Sequence, residues 1–477
     1  MAVIALYFGV SLHYALILAA SLRVLSRGGR EPASRIAWLL VIASLPFLGV
    51  ALYLAFGELN IGRRARERMT RFAHQLPNHP PATPAAPAPE GRIGSLFERV
   101  AAVNGFSPAG GNRARLSADS DDAIDSLVAD IEAAREHVHL LFYIWLTDRN
   151  GTRMLEAVRR AAARGVACRC LVDGMGSRLL LRDPAWKALS EAGVETGVTF
   201  PIRLPFLRRT FSRVDIRNHR KIAVIDHDIV HVGSQNCADA AFAIKPRYAP
   251  WVDVLARIEG PVAWQHQQLF VLDWMTHTGR DISDVLQREV PPGPGSGVAV
   301  ACGTGPNIDI YAVSDIFQLA AALARERLSI TTPYFVPTEA LAQALRAAAL
   351  RGVRLRMILP ERNDSRFVAL ASRSYYLPLL EAGVEILEFR PGLLHAKTVV
   401  VDGATVVIGS ANMDRRSFEL NYENCLVMTD ADLAAALQAR QEDWAGQSRV
   451  VDLGEVRGWS LPRRVAQNLG ATMGPLL

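Results

Sequence analysis

Residues 218–236 read NHRKIAVIDHDIVHVGSQN, and residues 394–412 read LHAKTVVVDGATVVIGSAN. Reduced to shared letters, both become H-x-K-x-x-x-x-D followed at the same distance by G-S-x-N. In the first copy IAVI is strand-like, the polar D-H-D makes a turn, and IVHVG returns as a second strand. Residues two apart on a strand share a face, so His219 and Lys221 point the same way, as do His395 and Lys397. The return strand brings Ser234 and Asn236 back toward that face, and Ser410 and Asn412 in the second copy. An imidazole beside an ammonium, a hydroxyl and a carboxamide is a donor set for a tetrahedral phosphoryl group, whose charge must be held while bonds change.

The surrounding chain repeats as well. DSLVADIEAAREHVHLLFYIWL, TRMLEAVRRAAARGVACRCLVD and AWKALSEAGVETGV each run from an amphipathic helix into an apolar strand. DIFQLAAALARERLSITTPYFV, ALAQALRAAALRGVRLRMILP and YYLPLLEAGVEILEF replay that order. EAGVE recurs verbatim at Glu191 and Glu381, and RGV at Arg164 and Arg351. The expectation is two α/β domains, at 95–290 and 291–477, each ending in one copy of the motif. EAGVE is followed by the motif histidine after 24 residues in the first copy and 10 in the second. The excess, FPIRLPFLRRTFSRVDIR, mixes apolar residues with Arg203, Arg208, Arg209 and Arg213, a composition that suits contact with lipid headgroups as well as a solvated loop.

The N-terminal part is of another kind. Residues 2–22 and 36–56 are each uncharged and long enough for a membrane helix, so residues 1–70 are expected to form an anchor with two spans. No basic stretch precedes the first and no small-residue cleavage site follows it, which favours a retained helical hairpin over a secretory signal. Arginines gather after the second span, in NIGRRARERMTR, and favour a cytoplasmic location for the remainder of the chain. Residues 71–94, with LPNHPPATPAAPAPEG, are expected to be an extended Pro-rich linker. A net charge of +6 suits an acidic partner, phospholipid or nucleic acid. A nuclease has no need of a membrane hairpin, and no basic groove interleaved with aromatics is readable here. Of 53 basic residues only four are lysine, and two of those four occupy the H-x-K positions, where a compact ammonium suits a small anion better than a planar guanidinium. The five cysteines are odd in number and lack metal-ligand spacing, so reduced thiols are expected.

In-line displacement at phosphorus needs groups on opposite sides of it. Two hairpins facing each other across a pseudo-twofold axis would supply a histidine on each side, one to attack and form a phosphohistidine, the other to act as acid and then base. The donors neutralise charge, so no metal or cofactor is expected. Asp226 and Asp402, beyond the first strand of each hairpin, are read as structural, holding the turn or pairing with the lysine side. Asp253 and Glu423, each in a later apolar strand of its own half, are the expected orienting partners of the imidazoles. His227 and His231 have no counterparts in the second copy and are read as incidental.

The paired motifs are similar to those of the phospholipase D superfamily. The two N-terminal spans, with FYIW, RNHRKIAVID, WVDVLARIEGPVA, TPYFVP, GLLHAKTVVVDG and GSANMDRRSFELNYE, together resemble its bacterial cardiolipin synthases over nearly the whole chain. The resemblance implies an α/β/α sandwich in each half and condensation of two phosphatidylglycerol molecules to cardiolipin and glycerol in the bacterial inner membrane. It also implies a catalytic set of His219, Lys221, Asp226, His395, Lys397 and Asp402, with the first-half histidine as nucleophile. A hydrolytic phospholipase D, or a transferase using another alcohol, is the alternative.

Overall fold

The two motif hairpins lie within a single mixed sheet. The computed structural model describes residues 2–28, 32–45, 47–81, 88–201, 213 and 215–472, and within them fifteen strands join edge to edge. The first-half strands are β1 (Ala109–Leu116), β2 (His137–Phe142), β3 (Ala167–Asp173), β4 (Glu195–Thr199), β5 (Ile222–Ile225), β6 (Ile229–Gly233) and β7 (Leu255–Glu259). The second half supplies β8 (Gly297–Thr304), β9 (Arg327–Thr331), β10 (Arg354–Pro360), β11 (Glu385–Phe389), β12 (Thr398–Val401), β13 (Thr405–Gly409), β14 (Glu423–Thr429) and β15 (Ser448–Val450). The order is β15-β11-β10-β9-β12-β13-β14-β8-β1-β7-β6-β5-β2-β3-β4. Outward from the antiparallel β1/β8 pair, β1-β7-β6-β5-β2-β3-β4 matches β8-β14-β13-β12-β9-β10-β11 strand for strand. The duplication read from the sequence is therefore a pseudo-twofold through the middle of one sheet.

Strands β2, β3 and β4 are parallel, and so are β9, β10 and β11. Parallel neighbours need crossovers, and the helices Arg149–Ala163, Pro184–Glu191 and Glu339–Leu350 supply three of them. Helices cover both faces, which is why the motif strand is apolar without alternation. Ile222 and Val224 belong to one core, while Ala223 and Ile225 join another with Leu127 and Met154 from the opposite layer. The helix Val262–Thr278 is buried from Val262 through Thr276. Some of its polar side chains are bonded inside: Gln265 Oε1 accepts the Ala301 N–H at 2.8 Å, and Asp273 binds Arg220 at 2.8 Å. All five cysteines are free and buried.

The N-terminal region departs from expectation. Helix α1 (Ala2–Ser26) covers the first expected span, but residues 36–56 form parts of two helices, α2 (Pro32–Ser44) and α3 (Leu48–Phe56). The break flanks Pro46, which lacks the N–H a continuing helix requires. Among the described residues no helix is long and apolar enough to cross a membrane. Of the expected linker, residues 71–75 close a helix that begins in the expected anchor, and residues 82–87 lie outside the described residues. The helix Arg63–Gln75 buries Met69, whose Sδ receives the Tyr422 hydroxyl at 3.7 Å, and Leu76 is buried behind it. Apolar residues at 65, 69, 72 and 76 form one helical face, and that face outweighs the prolines downstream. In the arginine-rich insertion, Arg203, Arg208 and Arg209 lie outside the described residues. Arg213 is turned inward, paired with Asp215 at 2.6 Å.

The motif aspartates occupy the far ends of their strands. Asp226 and Asp402 both have φ 49°, the left-handed conformation of a tight corner. Asp226 accepts the backbone N–H groups of Arg135, Glu136 and His137 at 2.7, 2.8 and 2.9 Å. Asp402 accepts those of Arg325, Glu326 and Arg327 at 3.0, 2.8 and 2.9 Å. Each therefore pins the hairpin to the start of the neighbouring antiparallel strand, β2 or β9. Five residues at about 3.3 Å each separate such an aspartate from its lysine, roughly 16 Å in all. Replacing Asp402 with alanine is expected to accelerate hydrogen exchange at the amides of residues 325–327 and lower the apparent Tm by a few degrees, as loss of a cap costs about 1 kcal/mol. Unchanged exchange at those three amides would contradict the assigned role.

Candidate active site

His219 and His395 line the same cavity, of about 350 Å³, between the halves. Each is set by two bonds to the opposite half. The His219 N–H donates to Tyr422 O at 2.8 Å, and its Nδ1 lies 2.9 Å from the Glu423 carboxylate. The His395 N–H donates to Val252 O at 2.7 Å, and its Nδ1 lies 2.7 Å from Asp253. The sequence placed each carboxylate in a strand of its own half without assigning its imidazole; the pairing is crossed. The reason is topological, because the segment before each motif strand runs beside the segment leading into the other half's carboxylate. Leu393 and Leu394 pair in parallel with Trp251 and Val252, and Asn218 bridges to Tyr422.

The serines of the G-S-x-N tails do not face the cavity. Ser234 Oγ accepts the Val254 N–H at 3.1 Å and contributes a hydrogen bond that favours the Asp253 carboxylate. Ser410 donates to Glu423 and accepts the Asn424 N–H at 2.9 Å. They hold the orienting carboxylates rather than an anion. Asn236 and Asn412 do line the cavity. Asn236 Oδ1 accepts the Ile144 N–H at 3.2 Å, leaving its amide nitrogen as the available donor.

The lysines lie directly behind the histidines. Lys221 Nζ donates to His219 O at 2.7 Å, and Lys397 Nζ donates to His395 O. Burial pushes the two ammonium groups down, to about 8 for Lys221 and about 7 for Lys397. Burial likewise pushes the His219 imidazole down to about 4, against the pull of Glu423, and lowers His395. For Asp253 and Glu423 burial alone would raise the carboxyls, but the facing imidazole and nearby ammonium outweigh it and hold both below the usual range. With the imidazoles neutral, the two carboxylates face the Lys221 ammonium and a Lys397 group that burial brings close to neutral pH. An arriving phosphodiester brings the unmatched negative charge that favours an imidazolium. Asp226 and Asp402 lie outside this constellation. Among the described residues no group of three His, Cys, Asp or Glu side chains is placed to hold a metal ion.

Several contributors escaped the sequence reading. Tyr143 packs edge-on to His219 with ring centroids 4.8 Å apart, and Trp251 lies 4.7 Å from His395. On the opposite rim Asp364 accepts the Tyr334 hydroxyl at 2.7 Å and pairs with Lys245 at 2.6 Å, tying the two halves across the cavity. Lys245 carried a signal, being one of the four lysines. Burial raises the Asp414 carboxyl, also on the wall, to about 6. Arg220, fully buried, points away from His219 and Lys221; its guanidinium binds Asp273, Glu423 O at 3.1 Å and Thr304 O at 3.0 Å. The strand alternation that put His219 and Lys221 on one face already put Arg220 on the other.

The chain matches the family model described as cardiolipin synthase, PLD-like domain, over residues 127–266 and 319–444. Residues 15–58 match a second model, described as phospholipase D-nuclease N-terminal. Proteins named cardiolipin synthase A from Klebsiella pneumoniae subsp. pneumoniae and Citrobacter koseri are each 36% identical to it, over 494 and 484 residues, covering 98% of this chain and 97% of theirs. The solved structure of phosphatidylserine synthase from Haemophilus influenzae superposes with TM-score 0.58 at 14% identity, covering 81% of this chain and 100% of that one, a likeness of fold.

Buried neutral histidines make stability pH-dependent. His219, His266 and His277 are pushed down to about 4 and His137 to about 3, all by burial first. Their folded values lie below the unfolded value of about 6.5, so the stability they confer is complete above that pH. It is lost as pH falls from there toward 4, because the unfolded chain takes up protons the folded one refuses. The thermal midpoint is expected to fall steadily across this window at constant ionic strength; a flat profile would contradict the neutral assignment.

Proposed function

The chain belongs to the phospholipase D-like cardiolipin synthases, and from that premise we propose that it transfers a phosphatidyl group from one phosphatidylglycerol to another through a phosphohistidine. The observation that carries the mechanism is the crossed clamp: each Nδ1 is held by a carboxylate of the other half, leaving both Nε2 atoms for one cavity. His219 Nε2 attacks phosphorus as the bond to the glycerol headgroup oxygen breaks. His395 Nε2 gives its proton to that oxygen, and glycerol leaves. A headgroup hydroxyl of a second phosphatidylglycerol then loses its proton to His395 Nε2 as its oxygen attacks phosphorus, the P–N bond breaks, and cardiolipin forms. Lys221, Lys397 and the Asn236 amide stabilise charge on the phosphoryl oxygens, the lysines from behind the imidazoles. Asp253 and Glu423 fix the tautomers, and Ser234 and Ser410 hold those carboxylates. On this reading the chain divides into an anchor at 1–70, a partly docked connector at 71–94, and catalytic halves at 95–290 and 291–477.

We further infer that the N-terminal helices embed this enzyme in the bacterial inner membrane, with the catalytic halves on the cytoplasmic side. Trp38, Ile42 and Tyr53 pack α2 and α3 together, while Leu18, Leu22, Ile36, Leu40 and Leu48 turn outward, 56–61% exposed. An outward apolar surface of this kind suits lipid rather than water. The family match over residues 15–58 supports the same reading.

Full-length protein reconstituted with labelled phosphatidylglycerol is expected to yield cardiolipin and free glycerol; phosphatidic acid as the sole product would overturn the transfer reading. His219→Ala and His395→Ala should each lower kcat on the order of 10³-fold or more, and Asp253→Asn and Glu423→Gln on the order of 10²- to 10⁴-fold. In His395→Ala a covalent phosphatidyl adduct should be found by mass at residue 219. An adduct at residue 395 of His219→Ala, with none in the reverse variant, would exchange the two roles.

A further inference from the structure

Helix α5 (Leu461–Thr472) is inverted with respect to water. It turns Gln467 and Gly470 inward, while Leu461, Val465 and Leu469 stand 66%, 56% and 60% exposed. Spacing of four residues puts those three on a single outer face. The inward glycine permits the close approach: a Cβ at Gly470 would stand 3.2 Å from the backbone nitrogen of Ala371, in helix α4 (Arg366–Ser374). That helix exposes Leu370 and begins two residues after Asp364 on the cavity wall. Leu370 therefore lies only about 9 Å along the chain from the mouth, at roughly 1.5 Å per residue.

The opposite rim carries the same device. After β10 the chain reads ERNDSRF from Glu361, and after β3 it reads GMGSRL from Gly174. Aligned on the shared Ser-Arg pair, Asp364 matches Gly176, both on the cavity wall, and Arg366 matches Arg178. Met175 and Leu179 are 39% and 46% exposed on this side. Arg178, Arg182, Arg362, Arg366 and Arg464 are exposed, and among the described residues no carboxylate pairs with them. Single exposed apolar residues are ordinary. A set of them on elements that adjoin the two sides of one entrance, interleaved with unneutralised guanidinium groups, is the composition of a surface seated among anionic headgroups.

We propose that the rim formed by α5, α4 and the loop after β3 docks on the surface of an anionic phospholipid bilayer, a contact separate from the N-terminal anchor. It seats the cavity mouth at headgroup level, so that a lipid phosphodiester reaches the histidines while its chains stay in the leaflet. The inference rests on the reading that the substrate is a bilayer lipid, but its test does not depend on turnover. Since the five native cysteines are buried, Val465→Cys in the full chain provides an accessible thiol for a fluorescent probe. In vesicles of phosphatidylglycerol and phosphatidylcholine with brominated chains, the probe should be quenched by the bromines and shielded from aqueous iodide. Arg366→Gln with Arg464→Gln should weaken that quenching. Quenching by iodide alone, or disulfide-linking of Cys-bearing copies to each other, would overturn the proposal. The triple change Leu461→Ser, Val465→Ser, Leu469→Ser should lower activity on vesicles on the order of tenfold and leave activity on detergent-dispersed lipid unchanged. Equal loss on both would also count against it. Quenching without cardiolipin synthesis would remove the functional reading and leave the docking surface standing.

Discussion

The crossed pairing of His219 with Glu423 and His395 with Asp253 is the constraint on which the remaining structure depends. A carboxylate buried without a partner costs several kcal/mol, and a neutral imidazole alone cannot repay that. Here each carboxylate also receives a serine hydroxyl of its own half and faces a buried ammonium. The cost is met only when both halves are present in one register. The β1/β8 ladder provides that register, extending one sheet through the pseudo-twofold axis. Neither half contains an oriented imidazole by itself, so the duplication is a requirement of the chemistry and not a redundancy.

Within that symmetry the two histidines are not held alike. Behind His219, Arg220 locks Glu423 O, Asp273 and Thr304 O together, and the Lys221 N–H donates to Asn424 Oδ1 at 3.0 Å. The corresponding positions in the second copy are Ala396 for Arg220 and Val254 for Asn424, which can form neither bond. His219 therefore sits in the stiffer frame. A nucleophile that must carry a bulky covalent phosphatidyl group between two half-reactions benefits from a fixed ring, whereas an acid–base group needs only to exchange a proton. The asymmetry supports His219 as nucleophile on grounds independent of motif order.

The α/β repeat, the strand hairpins and the convergence of both histidines were legible because period-two alternation and verbatim repeats report backbone geometry directly. What was not legible depended on contacts between distant segments. Asp253 and Glu423 could be picked out as buried carboxylates in apolar strands, but which imidazole each would meet is decided by the parallel bridge of residues 393–394 to 251–252, and no local pattern encodes that. Ser234 and Ser410 were assigned to the anion because a hydroxyl on the right face can serve either a phosphate or a carboxylate, and only packing decides between them. The Asp226 and Asp402 turns illustrate the converse. The residues themselves pointed to a structural role, and the three N–H groups on each carboxylate agree, against the catalytic role the family resemblance implied. At the start of the connector, proline content outweighed an apolar helical face that in the folded chain buries Leu76.

That docked helix bears on how water is kept from the intermediate. Met69 and Asn307 both reach the Tyr422 hydroxyl, and Tyr422 is the residue before Glu423 whose carbonyl receives the His219 N–H. A single residue, Tyr422, thus links the helix Arg63–Gln75 to His219. A phosphohistidine exposed to bulk water would hydrolyse, so transfer needs a site whose access is occupied by lipid. Two features work toward that end: the cavity is walled by Tyr143, Trp251 and Tyr334, and its rim carries apolar side chains with guanidinium groups between them. Competition between water and a lipid hydroxyl is then governed less by the chemistry at phosphorus, which is the same for both, than by which of them the surface around the mouth delivers.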